Sequence, residues 1–122
     1  MSNNNIITIY HNPRWGKSRK SVQILEEHSK GYQIIEYLKN PLTIKELKVL
    51  GEKLNLRPSE FIRKGEQVFK DLDLLNKLND DDELYQKISV HPKLMERPII
   101  VNGKNAVIGR PPENVLKIIW IK

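Results

Sequence analysis

The chain has 122 residues, a formal net charge of +6 and no cysteine. This length suits one domain with its own core, and the missing cysteines exclude disulfides, cysteine-ligated metal sites and catalysis by a protein thiol. The positive charge favours anionic partners. The richest apolar segment, Val115–Ile121, is interrupted by Lys117 and cannot span a bilayer. The N-terminal Met1–Asn5 also lacks the basic and apolar regions of a signal peptide, so we expect a cytoplasmic protein without membrane partners.

The first third of the chain predicts a β-α-β unit. Ile6–Tyr10 is short, apolar and rich in β-branched residues, which is typical of a buried strand. A loop with proline and glycine follows, and we predict a helix from about Lys17 to His28 that ends before Gly31. The alternation over Gln33–Leu38 then favours a second strand.

The middle of the chain is predicted to be helical. Thr43 and Glu46 have the spacing of a capping box, and apolar residues at helical spacing follow them. Pro58 can begin another helix, and a further helix is expected over Asp82–Val90. We interpret the acidic run Asp80–Glu83 as a solvated helix start rather than a binding tail.

The last part of the chain predicts a hairpin and a final helix. Pro98–Val101 and Ala106–Ile108 favour strands, joined through Asn102-Gly103, which is a strong hairpin signal. The prolines after Gly109 suit the first turn of a helix. This helix should bury Val115, Leu116, Ile118 and Ile119, and Trp120 should pack within it.

The elements therefore run β-α-β, a helical insert of about residues 41–92, and β-β-α. A β-α-β unit requires a parallel strand pair and a crossover helix, and the hairpin adds two antiparallel strands. We expect a single α/β domain over residues 1–122, with a four-stranded mixed sheet and helices on its faces. This is the thioredoxin-like arrangement.

The loop His11–Arg19 follows the first strand, where ligands gather in sheets of this kind. Backbone N–H groups and the positive end of the next helix dipole would face one small volume there. Ser18 adds a hydroxyl donor. Positive charge comes from Arg14, Lys17 and Arg19. An oxyanion cradle fits these residues, and an ordinary turn with solvated basic residues is the alternative.

Several segments, in order along the chain, resemble the glutaredoxin-coupled, thioredoxin-fold arsenate reductases of the ArsC type. The run HNPRWGKSR at residues 11–19 is similar to the signature H-N-P-x-C-x-x-S-R. EYLK at 36–39, RKGE at 63–66, HPKLMERPI at 91–99 and GRPPE at 109–113 resemble further segments of that family. The resemblance covers about residues 6–119 and implies a thioredoxin-like fold with a cis peptide before Pro98.

The resemblance also implies a chemistry. In that family a loop cysteine thiolate attacks arsenate, glutathione completes the intermediate and glutaredoxin resolves it, while three arginines bind the oxyanion. The matching positions here are Arg63, Arg97 and Arg110, with Asn12 beside them in the oxyanion site, and the loop residues His11 and Ser18.

Trp15 stands at the position of the nucleophilic cysteine. Its indole offers only an N–H donor, and the hydroxyl of Ser18 does not perform thiol redox chemistry. The sequence therefore predicts a family member that is inactive as a reductase, retains an oxyanion site and has no cofactor of its own. The indole either lies across the pocket, stacked on an arginine, or points outward as an anchor for a partner. An introduced substitution at this position is a further alternative.

An Spx-like regulatory or adaptor protein that binds a protein partner is the second hypothesis, because lost catalysis and a basic net charge are compatible with it. Nucleic acid is not an expected partner, since no interleaved basic and aromatic residues and no recognition helix are found. His28 and His91 are expected at the surface or at helix ends. Three dispersed histidines without cysteine predict no metal site.

Overall fold

The computed structural model describes residues 6–28 and 31–119. Contacts divide the chain into two units. The first contains the described residues up to Tyr37 and those from Arg97 onward, and the second is Leu38–Glu96. Within the described residues, no helix has the length and apolar character that crossing a membrane requires. The predictions for Met1–Asn5 and Trp120 lie outside the described residues.

A four-stranded mixed sheet organises the first unit, as predicted. Its strands are β1 (Ile7–Tyr10), β2 (Tyr32–Ile35), β3 (Ile99–Asn102) and β4 (Asn105–Ile108), in the order β2-β1-β3-β4. β1 and β2 are parallel, and the other two pairs are antiparallel. The prediction for β2 extended too far, to Leu38. β2 ends earlier because β1, beside it in the sheet, ends at Tyr10 and continues into the loop.

The β3–β4 hairpin turns one residue later than predicted. Asn102 and Asn105 are paired strand residues, so the loop is Gly103-Lys104 rather than Asn102-Gly103. Gly103 has a φ of 62°, as the first loop position of a type II′ turn requires, and glycine adopts this angle at little cost. Asn102 instead has a buried side chain whose Nδ2 donates to the Ile118 carbonyl at 2.6 Å.

Helix α1 (Gly16–Glu27) and a 3₁₀ helix (Pro112–Lys117) pack together in this unit. The core beneath them contains Ile7, Ile9, Ile24, Leu25, Ile100, Val115, Ile118 and Ile119. The prediction that Leu116 is buried was wrong, since it is 39% exposed. A 3₁₀ helix has three residues per turn, so Val115 and Ile118 share a face and Leu116 does not.

Gly109 allows α1 to approach the end of β4. A Cβ atom at this position would lie 2.8 Å from both Pro98 Cγ and Ser21 Oγ, a separation that real Cβ atoms essentially never show. Glycine is therefore required at this point of the GRPPE segment for steric reasons. The peptide bond before Pro98 is cis, as expected, and the bond before Pro111 is also cis.

The second unit is helical. It contains α2 (Ile44–Leu54), α3 (Pro58–Phe61), α4 (Gln67–Asp71) and α5 (Asp81–Val90), with 3₁₀ turns at Leu74–Lys77 and Pro92–Leu94. The predicted capping box before α2 is present. Thr43 Oγ1 accepts from the Glu46 N–H at 3.1 Å, and Glu46 Oε1 accepts from the Thr43 N–H at 2.9 Å.

The acidic run begins α5, as predicted. Asp80 Oδ1 accepts a hydrogen bond from the Glu83 N–H at 3.1 Å and so caps the helix. The prediction that the run is simply solvated missed several cationic partners, among them Lys77 and Lys87, which pair with Glu83 at 3.7 Å and 3.4 Å. Asp81 pairs with Arg57 at 2.7 Å, and Asp82 pairs with Lys48 at 3.2 Å.

Candidate oxyanion site

One edge of the sheet brings polar residues from separate strands together. β1, β2 and β4 end at this edge and β3 begins there, as the pairs Tyr10–Ile35, Tyr10–Ile99 and Ile99–Ile108 show. The Gly109 N–H donates to the Pro98 carbonyl at 2.8 Å and extends the β3–β4 pairing beyond the strand ends. The residues beyond these positions, in sheet order, are Glu36, His11, Arg97 and Arg110.

Asn12 and Ser18 hold the loop between β1 and α1 in shape. The Asn12 N–H donates to Ser18 Oγ at 3.3 Å, and Asn12 Oδ1 accepts from the Arg14 N–H at 3.1 Å. The Asn12 carbonyl accepts from the Trp15 N–H at 3.0 Å. Both side chains are buried. The contacts of these two predicted site residues thus stabilise the conformation of the loop itself.

The N-terminus of α1 concentrates positive charge. Trp15 is the N-cap residue, no side chain caps the helix, and its first turn contains no acidic residue. The exposed Lys17, Arg19 and Lys20 lie in the first two turns, and Arg19 Nη1 donates to the Pro13 carbonyl at 2.9 Å. The first N–H groups of a helix have no partners within the helix and carry the positive end of its dipole. Charge and donors at this end therefore favour an anion.

Trp15 and Arg97 form a stacked pair. The guanidinium carbon of Arg97 lies 3.6 Å from the centroid of the Trp15 ring, a cation–π contact typically worth about 0.5–2 kcal/mol. Arg97 is only 5% exposed, whereas Trp15 is 48% exposed. The indole thus combines features of both predicted orientations, since it stacks on an arginine and also reaches solvent. Stacking uses the flat face of the guanidinium, whereas its N–H donors lie in the plane.

His11 is a buried imidazole at the start of the loop. Burial lowers its pKa from the ordinary value of 6.5, the carboxylate of Glu36 opposes this shift, and the positive charge of Arg19 adds to it. The ring is therefore neutral near pH 7. Its Nδ1 atom is buried and has no hydrogen-bond partner among the described residues.

Arg63 belongs to the second unit, where two carboxylates contact it. Its Nε donates to Glu66 at 3.2 Å and its Nη1 to Glu96 at 3.0 Å. Sequence reasoning missed both partners, although the spacing of Glu66, three residues after Arg63, was a signal. Arg110 is exposed and follows β4 in the first unit.

The remaining histidines lie at helix ends, as expected: His28 follows α1 and His91 follows α5. In the two described ranges, no cluster of three or more His, Asp or Glu side chains has an arrangement that could hold a metal ion.

Known proteins resemble this chain over nearly its full length. Residues 10–118 match the ArsC family. The arsenate reductase of Haemophilus influenzae is 42% identical over 116 residues, which cover 93% of this chain and 98% of that protein. The arsenate reductase of Neisseria meningitidis is 39% identical over 110 residues, covering 89% of this chain and 94% of the relative.

A solved structure agrees with the fold. The arsenate reductase from Vibrio cholerae superposes with a TM-score of 0.90 at 40% identity, covering 95% of this chain and 99% of the other. The mixed sheet with its helices is a thioredoxin-like α/β fold. The chain belongs to the ArsC family.

Proposed function

We propose that this chain binds a small oxyanion at the loop between β1 and α1, and that it has lost the thiol-dependent reduction typical of its family. One observation carries the proposal. Helix α1 begins without a side-chain cap and without an acidic residue in its first turn, beside exposed cations of the same segment. A bound oxyanion would supply the negative charge and the hydrogen-bond acceptors that this helix end lacks.

Arg97 supports the proposal because its guanidinium is buried and stacked, so its orientation is fixed before a ligand arrives. The planar set of donors on arginine suits two neighbouring oxygens of a tetrahedral anion. Arg63, Arg110 and Asn12 belong to the proposed oxyanion-binding set only because the family resemblance implies it.

The loss of reduction is supported by the residues at the nucleophile position. The chain has no cysteine, and Trp15 occupies the place where the family signature has one. Ser18 is a poor substitute, because its Oγ is buried and accepts a hydrogen bond from the Asn12 N–H. In the described part of the chain, no imidazole or carboxylate is hydrogen-bonded to this hydroxyl to activate it. The chain is thus proposed to be a pseudoenzyme, in which glutathione and glutaredoxin no longer act as reductants.

Isothermal titration calorimetry with arsenate, phosphate, sulfate and glutathione tests the binding. We expect saturable, millimolar or tighter binding of at least one oxyanion. Lys17→Gln should weaken this binding several-fold, because it removes a cation from the first turn of α1. The matched control is Lys104→Gln, which makes the same change of charge in the β3–β4 turn and should leave the affinity unchanged. If none of the four ligands binds, the proposal is wrong.

An adaptor that binds a protein partner, in the manner of Spx-type regulators, is the second candidate. Trp15 favours it, since an aromatic side chain that is 48% exposed beside Arg14 resembles the anchors found at protein interfaces. A quantitative pull-down should then retain a stoichiometric partner on the parent chain and lose it with Trp15→Ala. If both chains retain the same proteins, Trp15 is not an anchor. The cytoplasm remains the proposed compartment, and neither a membrane nor nucleic acid is a proposed partner.

A further inference from the structure

The two outermost strands of the sheet, β2 and β4, differ in what lies along their outer sides. Beside β4, Asn114 Nδ2 donates to the Ile108 carbonyl at 3.0 Å, and the 3₁₀ helix that contains Asn114 packs against this strand. Among residues 6–28 and 31–119, no strand pairs with the outer side of β2, which is the side away from β1. Such a side presents backbone N–H and C=O groups to another strand.

The backbone groups on the outer side of β2 belong to Tyr32 and Ile34. The Gly31 carbonyl faces β1, since it accepts from the Ile7 N–H at 3.1 Å. Successive residues of an extended strand direct their N–H and C=O groups to opposite sides, so those of Tyr32 and Ile34 point away from β1. Within the described ranges, no hydrogen bond reaches these groups.

The side chains of β2 also favour strand pairing. Exposed outer strands are usually protected by a charge or a proline, and Tyr32–Ile35 contains neither. Ile34 is aligned with the fully buried Ile9 of β1, so its side chain lies on the same face of the sheet. Ile34 nevertheless remains 44% exposed. The outer side of β2 therefore combines apolar surface with backbone groups that a further strand would satisfy.

A second copy of β2 fits this side in one antiparallel register. If a two-fold axis passes through Gln33, Tyr32 of each copy lies opposite Ile34 of the other. This register gives hydrogen-bond partners to the outward N–H and C=O groups of both residues. It also places an aromatic ring beside a β-branched side chain, which is a favourable cross-strand pair.

One stripe of α1 adjoins β2 on the same face of the sheet. Val22 of α1 and Tyr32 of β2 pack against the same core cluster. Burial raises the pKa of the Tyr32 hydroxyl, and its hydrogen bond to Glu26 raises the pKa further. Arg19, Val22 and Glu26 have the spacing i, i+3, i+7, so they share this stripe.

The charges of this stripe are complementary to those of a second copy. Arg19 lies toward the start of α1 and Glu26 toward its end, and neither forms an ion pair within the described residues. A two-fold axis makes the two copies of α1 antiparallel, so Arg19 of each copy lies toward Glu26 of the other. This polarity favours a second copy over a partner of uniform charge.

The same axis suits both the strands and the helices. From Tyr32, which contacts Glu26, Gln33 lies about 3.3 Å further along β2, a rise equal to about two residues of α1. The axis would thus cross α1 near residue 24, about 2 Å from the midpoint of Arg19 and Glu26. A helix above β1 and β2 would lie roughly 10 Å from its copy, which is the spacing of packed helices.

We propose that two copies of this chain associate through the outer sides of β2 and the Arg19–Glu26 stripes of α1. The result is a two-fold symmetric dimer in which the two sheets are continuous. This inference goes beyond the proposed oxyanion binding and does not depend on it.

Sedimentation velocity of the full chain over a range of concentrations tests the association. We expect a monomer–dimer equilibrium whose dissociation constant rises several-fold between about 50 mM and about 500 mM salt, because the ion pairs across the interface are screened. A chain that stays monomeric in low salt at concentrations up to about 1 mM overturns the inference and leaves the outer side of β2 to another occupant.

A charge on the outer side of β2 tests the strand pairing. Ile34→Lys should raise the dissociation constant at least about ten-fold, because a charged side chain opposes pairing at an outer strand. Val49→Lys is the matched control, since Val49 is 42% exposed on α2, and it should leave the equilibrium unchanged. Circular dichroism shows whether each variant is folded. A folded Ile34→Lys chain that dimerises like the parent overturns the inference.

A charge swap on α1 tests the helix contact independently of the strand. Arg19→Glu and Glu26→Arg should each weaken dimerisation, because like charges then face each other across the axis. The double variant has the net charge of the parent and should recover dimerisation. Lys117→Glu, in the 3₁₀ helix, is the control for a change of net charge. A double variant that dimerises no better than either single variant overturns the proposed arrangement.

The failures of the two proposals are distinguishable. Phosphate titration of the same samples reports on the oxyanion site, whereas sedimentation reports on association. A monomer that binds phosphate overturns the dimer and leaves the oxyanion site intact. A dimer that responds to Ile34→Lys and to the charge swap supports the inference, whether or not phosphate binds.

Discussion

Helices α1 and α5 begin in opposite ways. At α5, Asp80 caps the Glu83 N–H at 3.1 Å, and the first turn carries Asp81, Asp82 and Glu83. At α1 no side chain caps the helix, the first turn has no acidic residue and the last turn has no basic residue. The dipole of α5 is thus stabilised by charges of the chain itself, whereas the positive end of α1 lies among cations.

Within one chain, some helix ends therefore carry the charges that favour stability, whereas the N-terminus of α1 does not. Helix α2 follows the pattern of α5, with a capping box, Glu46 in the first turn and Lys53 in the last. These are the three longest described helices. Of the three, only α1, which lies beside the candidate site, lacks both a side-chain cap and an acidic residue in its first turn. Departures of this kind are expected at functional positions, where a ligand completes what the chain omits.

The largest effect is expected from restoring a thiol at α1. Trp15→Cys should gain arsenate reduction with glutathione and glutaredoxin, because a helix N-terminus among cations lowers the pKa of a thiol. Reduction of arsenate is measured in a coupled assay, with Trp15→Ser as the control that lacks the thiol. A Trp15→Cys chain that folds and binds arsenate but stays inactive would show that the site has diverged beyond its nucleophile.

Removing the cap of α5 should have the next largest effect, which is a loss of unfolding free energy. Asp80→Ala leaves the Glu83 N–H without its acceptor and should lower the free energy of unfolding by about 1 kcal/mol. Urea denaturation followed by circular dichroism measures this loss. Asp71→Ala, near the end of α4, is a control without a capping role. An equal loss of unfolding free energy in Asp80→Ala and Asp71→Ala would contradict a stabilising role of Asp80 as the cap of α5.

An acidic residue in the first turn of α1 should have a smaller effect. It should raise stability and at the same time weaken phosphate binding. Lys17→Glu should raise the free energy of unfolding by about 0.3–1 kcal/mol, because it complements the dipole. The same change should weaken phosphate binding, since it places a negative charge where the ligand is proposed to lie. Denaturation and calorimetry on one sample measure both, with Lys104→Glu as the control. A gain in stability with unchanged phosphate affinity would separate the helix end from the binding site.

The smallest expected effect concerns pH. Burial lowers the pKa of His11 from 6.5, so the folded chain binds this proton less readily than the unfolded chain. Its contribution to stability is therefore complete above pH 6.5 and is lost as the pH falls through the folded-state pKa. His11→Gln should reduce the difference between the unfolding free energy at about pH 7.5 and that at about pH 5. An unchanged difference would mean that His11 is not the group responsible.

Much of the fold was predictable because it depends on residues near one another in sequence. The capping box of Thr43 and Glu46 joins positions three residues apart, and Pro58 suits the first turn of a helix wherever it lies. The loop after β1 was placed correctly for the same local reasons. Small errors, such as the hairpin register at Gly103 and the exposure of Leu116, arose where strand pairing or helix type decided the outcome.

The sequence by itself determined that this chain of the ArsC family has no cysteine, and it placed Trp15 at the position where the resemblance predicts a nucleophile. Only the tertiary structure decided what that tryptophan contacts. Arg97 reaches its ring because β1 and β3 are neighbours in the sheet. Glu96 likewise contacts Arg63, although 33 positions of sequence separate them. Composition and spacing record which groups are present, but such long-range contacts depend on strand pairing and packing, which bring distant residues together.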